Sequence, residues 1–210
     1  MTQSGKIKVM VVDDHPLMRV GIAAIINARP DMAVVAQAET GEEAVALFQR
    51  EKPDVTLMDL RLPGRIGGVE AIAAIRSSHP QARFIVVTTY EGDEDIHRAL
   101  EAGARGYVIK GMPYQTLVEA LQRVHAGGRF LPPPVARALA SRVPDSDLSS
   151  RELEVLHLLV SGNSNKDIAN RLGITEATVK SHVSTILMRL NVSDRTQAVV
   201  TALRRGLVHL

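Results

Sequence analysis

The chain has 210 residues, 45% of them hydrophobic and 23% charged, and a formal charge of +2, a globular balance with room for one large domain or two ordinary ones. It contains no cysteine, which excludes disulfides and thiolate metal sites and fits a reducing compartment; with aromatics at 3%, the core must be built from Val, Ile, Leu and Ala. The opening Met-Thr-Gln-Ser-Gly-Lys enters a short apolar run broken by Asp13, unlike a signal peptide, and no run nears the ~20 apolar residues of a membrane span. A soluble, cytoplasmic protein with no membrane partner is expected.

Over residues 1–125, short β-branched runs alternate with helical patterns. The runs are Ile7–Val12, Met32–Ala36, Val55–Met58, Phe84–Thr88 and Gly106–Ile109. The helical patterns are Leu17–Ala28, Gly41–Arg50, Gly68–Ser77, Asp93–Ala102 and Tyr114–His125. Runs such as Ile85-Val86-Val87 lack polar alternation, which suits strands buried on both faces. Five such units predict a five-stranded, doubly wound parallel sheet, the flavodoxin-like arrangement, whose ligands bind outside the carboxyl ends of the strands.

Asp13 and Asp14 follow the first predicted strand and Asp59 follows the third, so three carboxylates are expected to converge on one patch. Such a cluster repels itself and raises its own pKa values unless a hard cation compensates it, and Mg²⁺ suits oxygen ligands best. With the cation neutralising an incoming phosphoryl group, one carboxylate is free to act as nucleophile. Lys110, after the fifth strand, can pair with phosphoryl oxygens, and Thr88, ending the fourth, can donate a hydroxyl.

The segments Val11-Val12-Asp13-Asp14-His15, Leu57-Met58-Asp59-Leu60-Arg61-Leu62-Pro63-Gly64, Val87-Thr88-Thr89 and Gly106-Tyr107-Val108-Ile109-Lys110 resemble response-regulator receivers across the whole first domain. The resemblance implies that Asp59 is the phosphoacceptor, taking phosphate from a phosphohistidine of a sensor histidine kinase. It also implies that Asp13, Asp14, Asp59 and the Arg61 carbonyl hold Mg²⁺, that Lys110 grips the phosphoryl group, and that Thr88 and Tyr107 form the switch pair. The pattern departs at Pro63-Gly64-Arg65-Ile66-Gly67-Gly68, one residue longer than the family's Pro-Gly-Met-Asp-Gly, without its acid and with Arg65 near the site. A phosphohydrolase of haloacid-dehalogenase type also uses an aspartyl nucleophile, but it wants an acid two residues on, where Arg61 stands; an enzyme is therefore not expected. A binding protein acting without phosphate is disfavoured by the full set Asp13, Asp14, Asp59, Thr88 and Lys110.

Gly127-Gly128 and Pro132-Pro133-Pro134 interrupt the pattern, so 126–146 reads as a linker with one short helical stretch, Val135–Val143. From 147 to 210 there is no strand pattern, only four helix starts: Ser149 with Glu152, Ser164 with Asp167, Thr175, and Asp194 with Gln197. The fold class is thus α/β followed by all-α. Residues 1–125 carry 14 Lys+Arg against 16 Asp+Glu and residues 146–210 eight against six, an offset compatible with nucleic acid at the C-terminal end.

Asn165–Leu172, Gly173 and Thr175–Leu190 have the layout of a helix-turn-helix. Val179, Val183, Ile186 and Leu190 share one face and should be buried. The opposite face carries Ala177, Ser181, Ser184 and Met188, flanked by Lys180 and Thr185, small and hydroxyl groups that let a helix enter the major groove. Lys166, Arg171 and Arg189 are candidate phosphate contacts, while His182, at the edge of the buried face, is expected to pack. The run from Leu148-Ser149-Ser150-Arg151-Glu152 through Asn165-Lys166-Asp167-Ile168-Ala169 to Thr178-Val179-Lys180-Ser181-His182-Val183 resembles the LuxR-type domain of NarL/FixJ regulators. By that resemblance Thr178, Lys180, Ser181 and Ser184 face double-stranded promoter DNA. The last helix, Asp194–Gly206, would then form the dimer of the active state, with Val199, Ala202 and Leu203 as contact candidates.

Overall fold

The computed structural model describes residues 5–89, 92–140 and 148–208, and the chain divides into two compact units: residues up to 90 with 96–137, and residues 138–210 with 91–95. Five parallel strands, β1 (Ile7–Val12), β2 (Met32–Ala38), β3 (Val55–Met58), β4 (Phe84–Thr88) and β5 (Gly106–Ile109), form one sheet in the order β2-β1-β3-β4-β5. Between and after them run α1 (Pro16–Asn27), α2 (Gly41–Glu51), α3 (Gly68–Ser78), α4 (Asp93–Glu101) and α5 (Tyr114–His125). This is the expected doubly wound arrangement; the helix ends agree with expectation to within one residue, and β2 continues two residues past Ala36.

Alternate strand residues explain the two-sided burial. Val9, Val11, Val55, Leu57, Ile85, Val87 and Val108 join Ile22 and Ile26 of α1 and Leu117, Leu121 and Val124 of α5 in one apolar cluster. The intervening Met10, Met58, Phe84, Val86 and Tyr107 are buried as well, and the Phe84 ring stacks 6.2 Å from that of Phe48 in α2. Each large aliphatic side chain so buried contributes roughly 1.5–3 kcal/mol. One glycine is required by this packing near the strand ends: a Cβ on Gly68 would lie 2.0 Å from the Asp59 carbonyl oxygen, so α3 can start against the end of β3 only without a side chain there.

The stretch from 126 expected as linker is packed with the first unit as far as Arg137. Phe130 makes a parallel bridge with Gly106, its carbonyl accepts from the Tyr107 N–H at 2.9 Å, and its ring lies in the core. The short helix α6 spans Pro133–Ala140 rather than starting at Val135. Prolines in a first helical turn lack an N–H that would have had no partner there, so they begin this helix instead of barring it. Residues 141–146 of the expected linker lie outside the described residues.

The second unit is all-α: α7 (Ser150–Val160), α8 (Asn165–Leu172), α9 (Glu176–Arg189) and α10 (Arg195–Arg205). Each start is capped as its sequence signals. Ser149, Ser164, Thr175 and Asp194 accept from the backbone N–H three residues on, and Glu152 and Asp167 return the bond to Ser149 and Ser164. Gly173 adopts the left-handed conformation between α8 and α9 at φ 64°. Val155, Leu156, Leu159, Ile168, Val179, Ile186, Leu190, Ala198 and Ala202 form the core.

Candidate functional site

Strand register builds the acidic pocket. Val12 pairs with Met58, and the Asp59 N–H donates to the Val12 carbonyl at 2.9 Å, so the residues following β1 and β3 are neighbours. Thr88 pairs with Ile109, and the Lys110 N–H donates to the Thr88 carbonyl at 2.8 Å, which brings Lys110 to the same edge. Lys110 Nζ lies 2.8 Å from Asp13 Oδ2 and 2.5 Å from Asp59 Oδ2. Asp13 and Asp59 are both buried, Asp59 at 3% exposure, whereas Asp14 is half-buried. An open cleft of about 440 Å³ lies over the group, lined by Asp14, His15, Met18, Asp59, Arg61, Thr89 and Lys110.

Burial pushes the Asp59 carboxyl above its ordinary value of 3.8, against the lowering influence of Lys110 and of the Arg61 N–H, which donates to Oδ1 at 3.2 Å; the neighbouring Asp13 adds to the rise. For Lys110, burial works to lower the ammonium pKa, but the bonds to Asp13 and Asp59 outweigh it and hold the group above 10.5. One ammonium set against three carboxylates leaves negative charge uncompensated. Ligand atoms of Asp13, Asp14, His15 and Asp59 lie within 4.8 Å of one another, a group able to hold a metal ion, and its carboxylate oxygens suit a hard divalent cation. The Thr88 hydroxyl is buried with no hydrogen-bond partner among the described residues, and Tyr107 is fully buried on the neighbouring strand.

Two features were missed at the level of sequence. His15 Nδ1 lies 2.6 Å from Asp14 Oδ1, at the mouth of the metal group. Arg19, on the buried face of α1, donates from Nη1 to the Asp13 main-chain carbonyl at 2.6 Å and from Nη2 to Glu39. Its signal was available: Arg19, Ile22 and Ile26 fall on one helical face, so a cation occupies a core-facing position. The longer loop after Asp59 is pinned to the first turn of α2, since the Arg65 N–H donates to Glu42 Oε1 at 2.6 Å and holds that carboxyl below its usual range.

In the second unit the expected face of α9 lies open. Ala177, Thr178, Lys180, Ser181, Ser184 and Met188 are exposed, as is Lys166 on α8, while Val179 and Ile186 are buried. Lys180 Nζ lies 4.0 Å from Glu176 Oε1, and three further candidates have internal commitments. The Thr178 hydroxyl is 2.8 Å from that of Thr175, the Thr185 hydroxyl donates back to the Ser181 carbonyl at 3.1 Å, and Arg189 Nη1 lies 3.1 Å from Glu152 Oε2. Glu152 is buried and also accepts from the Ser149 N–H at 2.8 Å, so Arg189 ties the end of α9 to the start of α7 instead of standing free. Arg171 is exposed, and His182 is half-buried. On α10, Ala202 is 0% exposed and belongs to the unit's own core, which removes it from a dimer surface. Val199 and Leu203 are half-buried, and the neighbouring Val200 is the exposed apolar residue of that helix.

Both units match known families: the response regulator receiver domain over residues 9–122 and the bacterial regulatory proteins of the luxR family over residues 146–202. The transcriptional regulatory protein LnrK of Bacillus subtilis (strain 168) is 39% identical over 95% of this chain and 98% of its own length. DegU of Brevibacillus brevis is 37% identical over 97% and 95%. The crystal structure of ChrA, the response regulator of a heme-sensing two-component system, superposes with a TM-score of 0.58 at 38% identity, covering 97% of this chain and all of that one. RcsB of Salmonella enterica serovar Typhimurium, bound to a promoter in the presence of phosphomimetic BeF3⁻, gives 0.72 at 26% identity over 94% of this chain and 98% of that one. With a matched receiver at one end, a matched LuxR-type domain at the other and full-length relatives across both, this chain belongs to the LuxR family of DNA-binding two-component response regulators.

Proposed function

We propose that the protein is a transcription regulator switched by phosphorylation of Asp59 from a sensor histidine kinase, and that it binds paired sites in promoter DNA as a dimer. The observation that carries the reading is Lys110 Nζ between Asp13 and Asp59, at 2.8 and 2.5 Å, together with the buried hydroxyl of Thr88, which has no hydrogen-bond partner among the described residues. A phosphoryl group on Asp59 gives that hydroxyl an acceptor and gives Lys110 a dianion to pair with.

In the transfer, an Asp59 carboxylate oxygen bonds to phosphorus as the P–N bond to the donor imidazole breaks. The imidazole leaves with the bonding electrons and takes a proton. Asp13, Asp14, Asp59 and the Arg61 carbonyl would hold Mg²⁺, which offsets the charge of the transferring group. Lys110 orients the phosphoryl oxygens, and Thr88 with the buried Tyr107 couples the new charge to the far side of β4 and β5. No acid stands at Arg61 to act as a second proton carrier, so acceptance rather than multiple-turnover hydrolysis is the reaction this pocket suits. The loop held by Glu42 and Arg65 is proposed to tune how long the phosphoryl group survives.

At the other end, Ser181 and Ser184 on α9 are proposed to approach base edges, and Thr178, Lys180 and Lys166 the phosphates. Thr185 has its hydroxyl engaged within the helix and is the weakest candidate. Val199 and Leu203, with Val200, are proposed for the dimer surface of α10. A cytoplasmic setting follows from the DNA partner. The test is treatment of the purified protein with acetyl phosphate and Mg²⁺, read by intact mass. Wild type is expected to gain one alkali-labile phosphoryl group that Asp59→Asn does not; equal gain in both proteins would overturn the assignment.

A further inference from the structure

We propose that Arg19 is a positioning residue for the cation-binding loop: its guanidinium fixes the Asp13 main-chain carbonyl, and so sets how Asp13 and Asp14 present their carboxylates. The inference rests on the reading of the pocket as a Mg²⁺ and phosphoryl site. Arg19 projects from the core-facing side of α1, and its side chain is only 11% exposed. Nη1 donates to the Asp13 carbonyl at 2.6 Å and Nη2 pairs with Glu39, just past the end of β2. The preceding peptide unit is held as well, since the Asp13 N–H donates to the Ala38 carbonyl at 3.1 Å. The turn between β1 and α1 is thereby tied at both ends to Ala38, the last residue of β2, and to Glu39 after it.

The energetics favour a positioning role over a stabilising one. An aliphatic side chain at position 19 would extend the apolar stripe of Ile22 and Ile26 without desolvating a charge, whereas a guanidinium there loses hydration that its two bonds must offset. What those bonds supply is a fixed peptide plane between Asp13 and Asp14, two carboxylates whose repulsion works to splay the loop before a cation arrives. A loop held ready in advance spares the cation the cost of ordering it. Loss of such a supporting contact typically weakens metal binding by about tenfold or more.

The experiment uses the full-length protein. Mg²⁺ affinity is measured by calorimetry, and the Mg²⁺ dependence of acetyl phosphate labelling separately, for wild type, Arg19→Met and Arg19→Lys. Arg19→Met is expected to raise the Mg²⁺ dissociation constant about tenfold. It should shift the labelling midpoint by the same factor, with the rate at saturating Mg²⁺ changed less than about twofold. Arg19→Lys, with one charged donor, should recover part of the loss. A wild-type Mg²⁺ affinity in Arg19→Met, or a lowered saturating rate at an unchanged midpoint, would overturn the proposal. If Arg19→Met fails to fold, Glu39→Gln replaces it: a smaller rise in the dissociation constant is expected, and none would overturn the proposal. Wild type that binds Mg²⁺ as predicted but accepts no phosphoryl group would overturn the phosphoacceptor reading and leave the role of Arg19 standing.

Discussion

The acidic pocket of the receiver and the reading face of α9 solve opposite problems. In the pocket the phosphoacceptor and its cation are held close together and shifted in pKa: Asp59 is 3% exposed, and Lys110 is in contact with two carboxylates. On α9 the working groups stand in solvent, and the buried side of the helix only fixes their direction. A buried site is over-determined, so each residue has one geometry and one removal is costly. An exposed face leaves the partner to complete the geometry, so single removals there change affinity in small steps.

The largest effect expected of a single change lies in the buried support of the open face, at Glu152 and Arg189. Glu152→Ala removes a capping-box carboxylate that accepts from the Ser149 N–H and pairs with Arg189, and is expected to cost about 2 kcal/mol in urea unfolding of the second unit. Arg189→Ala should likewise lower stability yet leave the salt dependence of DNA binding unchanged. A fall in the salt slope for Arg189→Ala would return that residue to the set of phosphate contacts.

The next effect concerns charge in the pocket. Burial holds the Asp59 pKa above 3.8 in the folded chain, so the ionised form subtracts stability at neutral pH, and stability rises as pH falls from above the folded value towards the unfolded one. NMR titration of the Asp59 carboxyl in metal-free buffer should give a midpoint above 3.8, and Lys110→Ala, which removes the lowering influence, should move it higher still. A midpoint at or below 3.8 would mean that the ion pair outweighs burial.

The smallest expected effect is on the open face. Lys180→Ala should weaken binding to all DNA sequences alike and reduce the salt slope by about one. Ser181→Ala should instead relax preference at one base position by about 1 kcal/mol. A sequence-independent loss for Ser181→Ala would reassign that hydroxyl to the phosphate backbone.

The same contrast governs what could be read from sequence. Strands such as Phe84–Thr88 were legible because burial on both faces leaves an unbroken apolar run, and the carboxylates because chain topology alone brings strand ends together. Helix starts at Ser149, Ser164, Thr175 and Asp194 were legible because capping is local. What escaped was long-range. Phe130 returns to the sheet through a single bridge, too short to leave a periodic pattern. Arg189 looked like a surface cation because its partner lies 37 residues earlier, at Glu152. Ala202 carries the same small side chain whether it faces a core or a partner, so composition could not assign it. Pro133 and Pro134 were expected to precede the short helix, yet a first turn needs no N–H from them, so the helix begins at Pro133.

The most direct test of a receiver that gates DNA binding is the affinity of the purified full-length protein for DNA selected from a random pool, measured at fixed salt with and without acetyl phosphate and Mg²⁺. Wild type should bind more tightly with the phosphoryl donor, and Asp59→Asn should show no change. Equal binding by both proteins in all conditions would contradict phosphate gating and leave a regulator that works through its partners alone.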